Sequence, residues 1–254
     1  MNSAIEEFGT RLARCRRRGE IAALPLDSIG SRAEAEAVQD AAVAAYGGRR
    51  RGYKIGATNA GVQHLLGCRE PFFGPLFAED MLESGATFRM VPGLLGIECE
   101  FAFVLKRACP AEAVSLESLR DAISSCHLAL EVVGRRVESS VRLNEASAIA
   151  DFALDVAYVH GPEIPDWRDR DLGRAPVTAR VDGQRQAEGR GAEVLGDPLN
   201  ALLWLARALA ERNRRLEAGD IVSTGTCTGI TPVAAGRRFR GDFHDLGAVE
   251  LALA

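Results

Sequence analysis

The spacing of apolar positions changes character near residue 50. Before it, hydrophobic residues recur at helical intervals, predicting one helix over 5–18 and a second, Ala-rich one over 31–46 that stops at Gly47–Gly48. Ser31 followed by Glu34 has the form of a capping box. After Gly52 the apolar runs shorten and are punctuated by glycine. They predict strands at 52–57, 96–105, 128–133, 155–159, 177–181, 184–188, 221–224, 237–240 and 247–253, with a hairpin turn at Asp182–Gly183. Two helices interrupt the strands. One spans 116–126, capped by Ser115; the other opens at Asp197–Pro198 and runs through Leu202, Leu205 and Leu209 to Arg212. Strands outnumber helices without alternating strictly with them. This predicts an α+β fold with a mixed, mostly antiparallel β core: a helical lobe over 1–50 leading into a β-rich domain over 51–254.

Composition narrows the possibilities. A chain of 254 residues suits one large unit, and a net charge of −4 lacks the basic surplus of a nucleic-acid partner. The apolar runs fall short of a bilayer span, and the first nine residues contain Glu6 and Glu7 rather than a signal-peptide core. Six scattered cysteines (Cys15, Cys68, Cys99, Cys109, Cys126 and Cys227) form no C-x-x-C pair, which suits reduced thiols and a cytoplasmic home. The run Arg14–Cys15–Arg16–Arg17–Arg18 reads as cations at a helix C-terminus. No G-x-G-x-x-G links a strand to a helix, so a dinucleotide fold is not indicated. Lysine occurs only at Lys54 and Lys106, in a chain that otherwise writes its cations as Arg. Lys54, between glycines and apolar neighbours, is a candidate titratable ammonium, a role Arg cannot fill.

The chemistry-bearing segment is Gly96–Ile97–Glu98–Cys99–Glu100–Phe101–Ala102–Phe103–Val104–Leu105. On a strand, Glu98 and Glu100 share one face. The simplest account is a half-exposed strand with its polar face in water. Against it, the run continues apolar on both faces, and further carboxylates stand in apolar surroundings: Glu131 in Leu128–Ala129–Leu130–Glu131–Val132–Val133, and Asp151 in Ala148–Ile149–Ala150–Asp151–Phe152–Ala153–Leu154. Carboxylates crowded in an apolar interior raise their pKa or bind a cation. Without a His or Cys cluster, the ion expected is Mg²⁺ or Mn²⁺.

Several segments in order carry a resemblance to a known family: Gly52–Tyr53–Lys54–Ile55–Gly56, Glu70–Pro71–Phe72–Phe73–Gly74–Pro75–Leu76–Phe77, Ile97–Glu98–Cys99–Glu100, Ala129–Leu130–Glu131–Val132–Val133–Gly134, Ile149–Ala150–Asp151, Leu195–Gly196–Asp197–Pro198 and Thr224–Gly225–Thr226–Cys227–Thr228–Gly229. Over nearly its whole length the chain resembles the 2-keto-4-pentenoate hydratase and 4-oxalocrotonate decarboxylase group of the fumarylacetoacetate hydrolase superfamily. The resemblance implies a β-rich roll with an N-terminal helical lobe, assembled as homo-oligomers built from dimers. It implies Glu98, Glu100 and Glu131 as metal ligands, Lys54 and Asp151 as catalytic-site residues, and Phe73, Gly74, Leu76, Thr226 and Thr228 in the substrate pocket. Two positions depart from the pattern: Phe152 stands where relatives carry Asn, and Arg237 where they often carry Asp.

The activity implied is addition of water to a 2-hydroxy-2,4-dienoate, giving a 4-hydroxy-2-oxo acid. Lys54 is either a proton-transfer group with a lowered pKa or a charged stabiliser of the enolate. Thr226 and Thr228 are explained as well by turn chemistry. Among the histidines, His127 is placed best, four residues before Glu131. The alternatives are a decarboxylase of a 4-oxalocrotonate-like dicarboxylic 2-oxo acid, an acylpyruvate C–C hydrolase and a non-catalytic partner subunit.

Overall fold

The computed structural model describes residues 2–109 and 115–254. Two helices open the chain, α1 (Asn2–Arg18) and α2 (Arg32–Tyr46). Ser31 Oγ caps α2 by accepting Glu34 N–H, and Gly47 closes it in the left-handed region at φ 64. Glu34 reaches back to Gly30 N–H at 3.2 Å, one residue short of a capping box. There follow β1 (Arg50–Gly56), α3 (Ala60–Leu66), β2 (Phe72–Phe77), β3 (Met81–Glu83), β4 (Thr87–Phe88), β5 (Leu94–Leu105), α4 (Leu116–Ala122) and β6 (Ile123–Gly134). The chain continues through α5 (Glu145–Ala150), β7 (Asp155–Glu163), β8 (Pro176–Val181), β9 (Gln184–Arg190), α6 (Pro198–Ala210), β10 (Ile221–Thr226), β11 (Arg238–Asp242) and β12 (Ala248–Leu253).

The strands form a seven-stranded sheet in the order β2-β1-β10-β5-β6-β7-β3 and a five-stranded sheet in the order β4-β12-β11-β8-β9. Most pairs are antiparallel; β1 with β10, β3 with β7 and β4 with β12 run parallel. The α+β expectation holds. The main core lies between the sheets: Ile97, Cys99, Phe101 and Phe103 of β5 and Leu128 and Leu130 of β6 belong to one buried cluster with Phe239, Phe243, Val249 and Leu251. Phe101 meets Phe243 edge-on at 5.2 Å. A second core joins α1 and α2 to α5, Phe72, Phe77 and Phe152, so the helical lobe is welded to the turn that follows α5.

One local expectation is corrected. The helix expected over 116–126 ends at Ala122, and Ile123–Gly134 is one long strand. β5 supplies the ladder partners, Val104 opposite Ser125 and Phe103 opposite Cys126, and this pairing outweighs local propensity. The apolar stretch around Asp151, for which no element was expected, is α5 followed by a tight turn. The basic run does end α1, and within it the Arg16 side chain is 2% exposed and ion-paired to Asp80 and Asp155.

Candidate metal centre

Strand alternation builds the site. On β5, Ile97, Cys99 and Phe101 turn into the core, which leaves Glu98 and Glu100 on the opposite face. The β5–β6 register sets Glu131 directly across from Glu98 and Ala129 across from Glu100. One ligand oxygen from each of Glu98, Glu100 and Glu131 lies within 4.8 Å of the others. β1 contributes Lys54, whose Nζ is 2.9 Å from Glu131 Oε1 and donates to Ala153 O at 3.0 Å. β10 contributes two donors to Glu100 Oε2: Ser223 Oγ at 2.5 Å and Gly225 N–H at 3.0 Å. Gly225 sits at φ 106, and a Cβ there would lie 2.3 Å from Thr58 Oγ1, so only glycine lets this amide approach the carboxylate.

All four charged groups are out of water: Glu98 is 9% exposed, Lys54 3%, and Glu100 and Glu131 fully buried. Burial drives the electrostatics. It pushes the Glu98 carboxyl up to about 8, with Glu131 adding to the rise and Lys54 opposing it. It pushes Glu100 up to about 7, with Glu98 adding and Lys54, Ser223 and Gly225 opposing. Glu131 is raised well above the usual carboxylate range by burial, against the pull of Lys54. For Lys54, burial favours the neutral amine, but the carboxylates, Glu131 first, outweigh it and raise its pKa. Lys54 therefore holds its proton.

The residues fit a hard divalent cation. Glu100 Oε1 and Glu131 Oε2 are buried without a hydrogen-bond partner, an arrangement that is costly unless something else satisfies them. Fully ionised, three carboxylates and one ammonium sum to two negative charges, which one divalent ion cancels. The donors are all carboxylate oxygens, the set that suits Mg²⁺ or Mn²⁺ rather than Zn²⁺. None of the four histidines belongs to the group. His127 is engaged elsewhere, with Gly161 O at 3.1 Å and Ser125 Oγ at 2.9 Å, its ring stacked at 4.2 Å on His160.

The other expected site residues divide. Gly74 stands across the β1–β2 ladder from Lys54. Leu76 packs with Ala102, Ala129, Tyr158 and Ile221, a small apolar cluster on the carboxylate face. Phe73 lies on the other face, in the core, 5.8 Å from Tyr53 and 6.3 Å from Trp204, because alternation along β2 turns it away from Gly74 and Leu76. Asp151 lies outside the carboxylate group; its Oδ1 takes Arg136 Nη1 at 3.0 Å and its Oδ2 takes Arg136 N–H at 2.5 Å. Thr226 pairs with Glu100 in the β10–β5 ladder, but its Oγ1 is committed to a turn, accepting Gly229 N–H at 2.8 Å. Thr228 Oγ1 donates to Gly229 O at 3.3 Å. Arg237 holds the hairpin by donating to Asp182 Oδ2 at 2.8 Å. Sequence reasoning missed Ser223, Thr58 and Tyr158. Only Ser223 carried a signal, adjoining the glycine-rich Thr224–Gly229 segment.

The family described as fumarylacetoacetate (FAA) hydrolase C-terminal matches residues 70–252. The chain is 36% identical over 210 residues to TodF product hydratase of Pseudomonas putida, covering 82% of this chain and 78% of that protein. It is 34% identical over 205 residues to 2-keto-4-pentenoate hydratase of Burkholderia vietnamiensis, covering 80% and 78%. The fold superposes with a TM-score of 0.91 and 24% identity on 4-oxalocrotonate decarboxylase of Pseudomonas putida G7, complexed with magnesium and adipate, over 100% of this chain and 98% of that one. The chain belongs to the fumarylacetoacetate hydrolase family.

Proposed function

We propose that this protein is a divalent-metal-dependent hydratase that adds water to a 2-hydroxy-2,4-dienoate and releases a 4-hydroxy-2-oxo acid. The observation that carries this reading is the buried three-carboxylate group closed by a single lysine. Glu98, Glu100 and Glu131 would hold Mg²⁺ or Mn²⁺. When bound, the ion supplies Lewis acidity toward the C1 carboxylate and C2 oxygen of the substrate.

The chain's own groups do the rest. Ser223 Oγ and Gly225 N–H hold Glu100 Oε2, which leaves Oε1 as the free ligand atom. Lys54 keeps its proton at Nζ, which favours the electrostatic role over that of a base. Of its three N–H donors, one goes to Ala153 O and one faces Glu131, so one remains for an oxygen that gains negative charge as the dienol ketonises. Exclusion of water strengthens that interaction. Ketonisation leaves C4 electrophilic in a conjugated enone, where water adds.

The apolar cluster of Leu76, Ala102, Ala129, Tyr158 and Ile221 on the same face suits a hydrocarbon tail. Lys54 is the one cation among the described residues that acts on all three carboxylates. Both points favour a monocarboxylic substrate over a dicarboxylic one. A cytoplasmic setting and a homo-oligomer belong to the same reading; six free, buried cysteines and the family resemblance support them. The test is turnover of 2-hydroxypenta-2,4-dienoate with and without Mg²⁺, by wild type and Glu98→Ala. Metal-dependent loss of the dienol, abolished in the variant, is expected. Metal-independent turnover retained by Glu98→Ala, or CO₂ release from a dicarboxylic analogue in preference to hydration, refutes the proposal.

A further inference from the structure

Three consecutive residues without the freedom of glycine, Phe152, Ala153 and Leu154, adopt φ of 52, 55 and 66. Each left-handed residue of this kind is strained, and such strain persists only where the surroundings over-determine it. Here they do. Asp151, just before the turn, is paired to Arg136, and Asp155, just after it, to Arg16 at 2.6 Å. The Phe152 ring is fully buried, with the Arg16 guanidinium 4.9 Å and the Arg136 guanidinium 5.2 Å from its centre. Phe77 and Tyr46 each meet the ring edge-on at 6.1 Å. Beneath the turn, β2 presents Gly74, where a Cβ would come within 2.7 Å of both Ala153 Cβ and Phe152 O. The hydrogen bond by which this arrangement reaches the metal centre is that of the Ala153 carbonyl with Lys54 Nζ, while the charge of Asp155 also acts on Glu131.

We propose that the left-handed turn Phe152–Leu154, bracketed by the Arg136–Asp151 and Arg16–Asp155 pairs and seated on Gly74, is a positioning element that aims the Lys54 ammonium. The Ala153 carbonyl takes one donor direction of the ammonium by hydrogen bond, and the ion pair with Glu131 at 2.9 Å draws the group toward the carboxylates. Phe152, Ala153, Gly74 and Arg16 act through Lys54 without touching the reacting atoms. The proposal rests on the donor role of Lys54 given above, and its test separates the two ideas.

Lys54 and Lys106 are the only lysines, and Lys106 is exposed, so it serves as an internal reference for amine labelling of the full-length protein. Trace acetylation with acetic anhydride, read by mass spectrometry, gives the Lys54-to-Lys106 ratio; it is low in wild type. Gly74→Ala pushes the turn off its seat. We expect the ratio to rise about tenfold and kcat to fall on the order of 10²-fold, the cost of misplacement near 1 Å, while KM shifts much less. Adding Ala153→Gly removes the methyl that the new Cβ meets, and should restore about tenfold of the loss in both readouts. Arg16→Gln opens one bracket from a distance and should raise the ratio even if Gly74→Ala does not fold. A folded Gly74→Ala protein, by its thermal transition, with ratio and kcat within twofold of wild type overturns the proposal. So does a fall in kcat with an unchanged ratio, or an Arg16→Gln protein that leaves the ratio low. If wild type shows no hydratase turnover, the function fails, and the labelling ratios still decide the positioning.

Discussion

Glu98 on β5 and Glu131 on β6 stand directly opposite one another in an antiparallel ladder, on a sheet face closed to water. Like charges in that relation destabilise a sheet, and removing their hydration adds to the cost. The metal-free fold therefore carries a stability penalty at the place where it is competent to bind a cation.

Glu98→Gln should separate these effects. At pH 9, above the value of about 8 to which burial pushes Glu98, the amide keeps the shape and removes one charge, so the metal-free protein should melt a few degrees higher, in line with ~1–2 kcal/mol gained by replacing an uncompensated buried charge. Turnover with saturating Mg²⁺ should fall by at least ~10²-fold, because one ligand is lost. Thermal melts in chelator and dienol assays with Mg²⁺ check the two halves. A variant that melts lower and retains turnover would contradict both.

The pH dependence follows from the same carboxylates. Glu98 is pushed up to about 8 and Glu100 to about 7, both above their unfolded value of 4.5. Between those limits the native state binds more protons than the unfolded state, so each group stabilises the metal-free fold at low pH, and that contribution fades as pH climbs through 7 and 8. Melting temperature in chelator should fall from pH 6 to pH 9. Mg²⁺ competes with protons for these oxygens, so its affinity should rise over the same range. A flat melting profile from pH 5 to 9 in chelator would count against the burial described here.

Lys54→Met removes the single cation from the group. Its partner Glu131 is then buried with no counter-charge, and metal-free stability should drop by about 3–5 kcal/mol unless protonation absorbs part of it. Turnover should fall ~10²–10³-fold, the usual loss for a donor aimed at developing negative charge. Lys54→Arg should not recover it, because a planar fork cannot meet Ala153 O and Glu131 as a tetrahedral ammonium does. Denaturant curves and kcat measured on the same preparations provide the check.

Leu76 and Phe73 sit three residues apart and face opposite ways. Leu76→Ala should enlarge the apolar wall beside the carboxylates and shift kcat/KM toward dienoates with a longer tail. Phe73→Leu should cost ~1–2 kcal/mol of stability through lost core packing and leave that preference alone. A panel of chain lengths assayed on both variants distinguishes them; a shift in preference for Phe73→Leu alone would reverse the assignment of faces.

Much of the centre is legible along the chain because the side-chain period of a strand is two. Glu98 and Glu100 share a face for that reason, and the apolar run after them marks a strand too buried to leave the pair in water. The scarcity of lysine singles out Lys54. Where reading along the chain failed, a neighbouring element had the casting vote. Residues 123–126 look like the end of a helix until β5 offers them a ladder. Nothing local in residues 152–154 marks a left-handed turn, yet two arginines and a glycine seat hold them so. Arg16 reads as a helix-end cation and is one, but nothing local shows that its side chain is buried against Asp155, 139 residues away in sequence.

Local pattern thus settles where most of the strands of the centre run, which way alternate side chains point, and that acidic groups are committed to an apolar interior. It does not settle that Glu131 faces Glu98 rather than Cys99, that Ser223 and Gly225 hold Glu100, or that Ala153 reaches Lys54. Those depend on ladder register and on turns closed across the whole chain. A shift of one residue in the β5–β6 register would exchange faces and dissolve the centre without changing a single local propensity.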